Sequence, residues 1–120
     1  MSRLTDEPNI WLSTVRPDGR PHLVPIWFVW AQHRIWVCTT DSVKTRNIEH
    51  NPNVAVSLEN GNTPVVAQGT ATIHRRPFPA AVAAAFAAKF EWDIDGDSTD
   101  GYDALVEITI DRWVFGSPES

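Results

Sequence analysis

The chain has 120 residues, a length that predicts one domain, and 42% of them are hydrophobic, enough for a core. A domain this small leaves much surface exposed, which pairing with a second copy would cover. The formal net charge of -5 argues against general nucleic-acid binding, and the single cysteine, Cys38, rules out an intrachain disulfide.

The N-terminal stretch Met1 to Pro8 lacks the apolar core of a signal peptide, and no apolar run is long enough to cross a membrane. With the lone cysteine this leads to the expectation of a reducing cytoplasmic setting. Asn9 to Val15 alternates and is rich in β-formers. Pro17-Asp18-Gly19-Arg20 reads as a turn, and Pro21 to Trp30 resumes as a strand, so the two runs predict a hairpin. A shorter turn at Ala31-Gln32-His33 leads into a strand from Arg34 to Cys38. Two consecutive hairpins predict a meander in an antiparallel sheet or barrel.

Ser42 to Asn51 reads as a short helix with Ser42 as N-cap, closed by Asn51-Pro52. Asn53 to Leu58 is a strand, Asn60-Gly61 marks a turn, and Pro64 to His74 is a long strand interrupted by Gly69. Pro77 to Phe90 is an Ala-rich helix with Val82, Phe86 and Phe90 spaced four apart on one face. A loop from Glu91 to Tyr102 follows, and Asp103 to Ile110 and Arg112 to Phe115 finish as strands. The order β-β-β-α-β-β-α-β-β predicts an antiparallel barrel with two inserted helices, not a doubly wound parallel sheet.

The segment Thr39-Thr40-Asp41-Ser42-Val43-Lys44-Thr45-Arg46 carries the strongest chemical signal. It gathers hydroxyls, two cations and a helix N-terminus in one place. The positive dipole end favours an anion, Lys44 adds a point charge, and Arg46 adds a fork that can grip two phosphate oxygens. In an acidic chain this cluster points to a small phosphorylated ligand.

Pro25 sits inside the apolar strand His22 to Trp30. Lacking an N–H, it belongs at an edge or bulge; it either blocks aggregation there or leaves main chain open to a flat heteroaromatic ring. Trp27 and Trp30 face opposite sides of a regular strand, so one can line a ligand while the other packs. Gln68-Gly69 reads either as a bulge with an exposed Gln or as a close approach to a polar ring edge. Arg75-Arg76 is a solvated pair or a second positive site. Cys38, among strand residues, reads as a buried inert thiol.

Glu91 to Asp97 has the look of a calcium loop, but the spacing fails. With Asp93 first, Ser98 holds the glycine position and Ala104 the closing one; with Glu91 first, Tyr102 closes. The four histidines are scattered, without metal-ligand spacing.

Ile10 to His22 followed by Val24-Pro25-Ile26-Trp27-Phe28 resembles the opening hairpin of the pyridoxamine 5′-phosphate oxidase-like split β-barrels. Ser42 to Ile48 with Asn51 to Val56 resembles the next block of that family, and Val65 to Ala71 the third. The resemblance spans most of residues 9 to 75 and is nearest to the flavin/deazaflavin oxidoreductases. It implies a mainly-β, six- to seven-stranded antiparallel split β-barrel with two inserted helices, the FMN-binding split barrel. It implies a homodimer holding coenzyme F420 or FMN in a groove between subunits, and an oxidoreductase acting on a small-molecule substrate.

The same resemblance implies that Lys44, with Thr39, Thr40 and Ser42, holds the cofactor phosphate, assisted by Arg46. Pro25, Ile26 and Trp27 would run along the ring, Gln68 would lie near it, and Trp113 would cap the site from the partner chain. The C-terminal substrate-binding block of the vitamin B6 oxidase is not seen, so the resemblance does not extend to that reaction. The alternatives are a cofactor-binding protein without turnover and a haem-binding split barrel with a histidine axial ligand.

Overall fold

The computed structural model describes residues 2–96 and 100–120. The chain opens with a one-turn helix, α1 (Arg3–Asp6), capped by the Ser2 hydroxyl, which accepts from the Leu4 N–H. The sequence reading did not anticipate this helix. β1 (Asn9–Val15) follows with strict alternation, and Ile10, Leu12 and Thr14 all point into the barrel. Gly19, at φ +89°, makes the turn to β2 (Pro21–Trp27), and the two strands pair antiparallel with Trp11 opposite Pro25.

One continuous strand over 21–30 was expected here, and the structure corrects that. Phe28 is fully buried and interrupts the run; its N–H donates to the Pro8 carbonyl at 3.3 Å instead of joining a strand ladder. β3 (Val29–Ala31) then pairs with β4 (Arg34–Thr39) in a second hairpin. The seven-stranded sheet runs β2-β1-β5-β6-β7-β4-β3, so β2 and β3 lie at opposite ends of it. The two hairpins are therefore not a meander. At the break two successive residues are buried, Phe28 in the barrel cluster and Val29 in the cluster beneath α3, and burying the Phe28 ring is worth about 1.5–3 kcal/mol.

α2 (Val43–His50) crosses from β4 to β5 (Asn53–Ser57), which forms a hairpin with β6 (Val66–His74). α3 (Ala80–Phe90) leads through the 91–103 loop to β7 (Ala104–Phe115), a single strand where two pieces were expected. The β6–β7 ladder absorbs two irregularities, at Val66/Ala67 and at Gln68/Gly69. Gly69 is required at the second: a Cβ there would lie 2.5 Å from the Thr109 carbonyl oxygen.

Two apolar clusters hold these elements. The barrel interior contains Ile10, Leu12, Ile35, Val37, Val56, Val106 and Ile108. The second cluster lies on the other face of β4 and β7, where Val82 and Phe86 of α3 pack on Trp36, Cys38 and Leu105. β4 is consequently buried on both faces, which explains its unbroken run of apolar residues. Among the described residues, no helix is long and apolar enough to cross a membrane.

Candidate functional site

The free edge of β2 and the strand β4 face each other across a seam that no ladder closes. A cleft of about 590 Å³ opens there. Ile26 and Trp27 line it from the end of β2, Cys38, Thr39 and Thr40 from the end of β4, and Lys44 from α2; Trp92, Asp100 and Tyr102 complete it from the 91–103 loop.

The phosphate-like end is built by the start of α2. Thr45 Oγ1 accepts from the Ser42 N–H at 2.8 Å and donates to the Ser42 carbonyl at 2.9 Å, which fixes the first turn. Ser42 and Thr45 thus form a capping box in outline, but the Ser42 hydroxyl makes no hydrogen bond of good geometry to the turn. Its Oγ is buried and has no hydrogen-bond partner among the described residues. A buried hydroxyl left unsatisfied costs about 1–3 kcal/mol, so a ligand oxygen here would remove a penalty as well as make a bond. Lys44 is half-buried and forms no ion pair among the described residues. Burial alone pushes its ammonium below the ordinary lysine value. An anion beside it would offset that desolvation. These two groups fit a phosphate.

The other end is aromatic. Trp27 stacks on Phe90 with ring centroids 4.4 Å apart and planes 4° from parallel. Trp92 meets Trp27 edge-to-face at 6.2 Å and Tyr102 at 5.2 Å. Trp30, three residues on, packs instead against the barrel core and Trp113, so the two tryptophans do divide between cleft and core. Cys38 is buried at the floor, with its thiol directed to the Tyr102 carbonyl at 3.9 Å. Desolvation pushes its pKa up to about 11, so it remains a thiol and is no nucleophile at neutral pH.

Of the ten residues expected at a site, the single-chain cleft brings together Ile26, Trp27, Thr39, Thr40 and Lys44, with Ser42 at the head of the same helix. Pro25 is exposed on β2, the edge strand. Arg46 lies on another side of α2, in a shallow hollow with Arg16, Asp18 and Asn47. Gln68 is exposed at the bulge and lines a separate hollow with Ser13, Ala55 and Asp111. Trp113 is half-buried against Trp30 of its own chain, ring centroids 6.2 Å apart. Lys44 and Arg46 diverge because two residues on a helix are turned roughly 200° from each other.

Trp92, Asp100 and Tyr102 were missed as site residues. The acidic residues of Glu91 to Asp97 directed the reading to a calcium loop whose spacing failed, and the aromatic pair Trp92 and Tyr102 was the available signal. Within that loop Asp93 and Asp95 make local turns, the Asp95 carboxylate accepting from the Phe78 N–H; Asp97 and Ser98 lie outside the described residues. Arg76 braces the loop through Asp103 and the carbonyls of Gly96 and Tyr102, all within 3.2 Å. Arg75 is paired with Asp41 and Glu49. Both arginines are thus committed within the chain. His22 lies on β2 with Nδ1 buried and without a hydrogen-bond partner among the described residues. Burial, then the charges of Arg16 and Lys44, hold it below the ordinary histidine range. No group of three or more His, Cys, Asp or Glu among the described residues is placed to hold a metal ion.

A split seven-stranded barrel with a phosphate-like seat at the seam defines a recognisable class. The pyridoxamine 5′-phosphate oxidase family profile matches residues 2–115, and the chain belongs to that family. Among solved structures, HutZ, the haem storage protein of Vibrio cholerae, is 22% identical, covering 94% of this chain and 91% of its own, with a TM-score of 0.76. An F420 reductase is 22% identical over 92% of this chain and 91% of its own, TM-score 0.72. General Stress Protein 26 of Bacillus anthracis is 27% identical over 97% and 89%, TM-score 0.70. No curated protein matches the sequence. The expected fold and family are thereby established.

Proposed function

We propose that the protein is a homodimeric oxidoreductase that holds coenzyme F420 or FMN in the β2–β4 cleft and passes hydride to a small organic substrate. The observation that carries this reading is Lys44, without an ion-pair partner among the described residues, lining one cleft with exposed aromatic rings, while the buried Ser42 hydroxyl lies at the head of the same helix. When bound, such a cofactor supplies the hydride chemistry itself. Lys44 neutralises the phosphate, and Ser42 donates to one of its oxygens. The α2 N-terminus adds its partial positive charge. Ile26 and Trp27 give a flat ring an apolar floor and keep water from one face. The Arg16 and Arg46 hollow beside α2 suits an acidic extension such as F420 carries. The F420 reductase likeness agrees with this choice of cofactor at the level of fold.

Homodimerisation is supported by apolar surface left open at Leu23, Trp27 and Phe115. Pro25, Gln68 and Trp113 enter the reading as surfaces a ligand meets where two copies join. A carrier role without turnover has one observation in its favour: Cys38 stays protonated, and no histidine lines the cleft among the described residues. The same lack of a histidine leaves the haem reading, which needs a histidine axial ligand, without that ligand in this cleft among the described residues, so it is not adopted.

Titrating the purified protein with F420 and with FMN tests the proposal. Binding of one of them tighter than about 100 μM, roughly 5.5 kcal/mol, is expected; weaker binding of both refutes it. Catalysed oxidation of the reduced cofactor by an enone or quinone, above background, then separates the enzyme from the carrier.

A further inference from the structure

The loop side of the cleft carries Trp92, Tyr102 and Asp100, which the cofactor's phosphate and ring leave unused, and Trp27, which would floor the ring, borders them. Trp27 keeps 48% of its surface exposed and Tyr102 39%, although large rings are costly to leave in water. Trp92 stands between them, its plane 71° from that of Trp27 and 89° from that of Tyr102. The rings are held from behind: Phe90 stacks on Trp27, and Phe86 meets Trp92 edge-to-face at 5.7 Å. Asp100 lines the same cleft and forms no ion pair among the described residues. Lys44 is the cleft's one lining cation among those residues.

Trp27, Trp92, Tyr102 and Asp100 line the same side of the cleft; an aromatic ring is electron-rich on any face it leaves open, and a carboxylate adds full negative charge. A positively charged organic group gains from both, while a neutral apolar group gains only from contact area. The cleft is therefore polarised, positive at the head of α2 and negative at the loop.

We propose that the corner formed by Trp27, Trp92, Tyr102 and Asp100 is a subsite for an organic cation, a protonated amine, quaternary ammonium or cationic heteroaromatic ring, and that the substrate carries such a group. The substrate assignment rests on the proposed redox function; the cation subsite rests on the rings and the carboxylate alone.

Choline is the probe, compared with its neutral isostere in which a tert-butyl group replaces the trimethylammonium. Each is titrated into the purified protein by calorimetry and by tryptophan fluorescence. Choline is expected to bind at least about fivefold tighter than the isostere. Asp100→Asn and Tyr102→Leu, each checked for an unchanged circular dichroism spectrum, are expected to weaken choline at least about threefold and leave the isostere unaffected. Equal affinity for the two probes, or choline binding unchanged in both variants, overturns the subsite. If choline binds through Asp100 and Tyr102 while neither F420 nor FMN binds, the subsite stands and the redox function falls. If a cofactor binds and choline matches its isostere, the redox function stands and the subsite falls.

Discussion

Replacing Lys44 by Ala separates binding from stability with opposite signs. In the folded chain Lys44 is half-buried, has no carboxylate partner among the described residues, and has its ammonium pushed below the ordinary lysine value by desolvation. A folded pKa below the unfolded one means that the charged form is disfavoured by folding. That cost is fully present at neutral pH and fades only as pH rises through the lysine range. Removing the amine should therefore leave the melting temperature unchanged or raise it. Against a phosphate the same charge is an asset. A charged hydrogen bond contributes about 1.5–3 kcal/mol, which is a ten- to roughly hundredfold loss of FMN or F420 affinity in Lys44→Ala. Isothermal titration gives the affinity and thermal denaturation the stability. Unchanged affinity would move the phosphate away from α2. A large drop in melting temperature would show that Lys44 has a structural partner instead.

Gly69→Ala should destabilise the fold by about 1–3 kcal/mol in urea denaturation, because the new Cβ would sit 2.5 Å from the Thr109 carbonyl oxygen and 3.0 Å from Ile108 Cγ2; an unchanged midpoint would mean that the bulge relaxes freely. Lys89 lies over the Phe28 ring at 4.0 Å and donates to the Leu4 carbonyl, and burial pulls its pKa down to about 8. The folded state therefore binds fewer protons here than the unfolded state between pH 8 and the ordinary lysine value, so stability rises with pH across that window. Relative to Lys89→Met, wild type should gain stability from pH 8 to pH 10, and parallel pH profiles would refute this. Cys38, with its pKa near 11, should react with iodoacetamide at pH 8 about a hundredfold more slowly than a free thiol; alkylation at the free rate would place the thiol in water.

The strands were legible where one face is wet. β1 alternates cleanly and its bounds, Asn9–Val15, match the period-two pattern. The Gln68-Gly69 bulge was legible as one of two readings, since glycine inside a strand marks either a bulge or a close approach. The break at Phe28 was not legible: nine residues of apolar and aromatic character read the same whether they form one strand or two. Only tertiary pairing decides which, by taking Val29–Ala31 into a ladder with β4 at the far end of the sheet from β2. The α1 helix escaped for a similar reason. Four residues carry too little periodicity, and its anchors are distant in sequence, Arg3 donating to the Thr63 carbonyl and Ser2 to the Pro118 carbonyl.

The break at Phe28 also explains why half of the candidate site could be found from local sequence and half could not. Because β2 stops at Trp27 and β3 restarts on the far edge, the two ends of the sheet approach without pairing, and the seam between β2 and β4 becomes the cleft. Lys44, Ser42, Thr39 and Thr40 belong to one strand-to-helix turn, so a ten-residue window contains them all. Trp92 and Tyr102 arrive from residues some fifty positions later and are placed by α3 packing on β4 and by Arg76 holding the loop carbonyls. The end of the cleft that reads as a phosphate seat is thus encoded locally. The end that would select a substrate depends on the tertiary contacts of a loop, the part of a fold most free to change chemistry while the barrel persists.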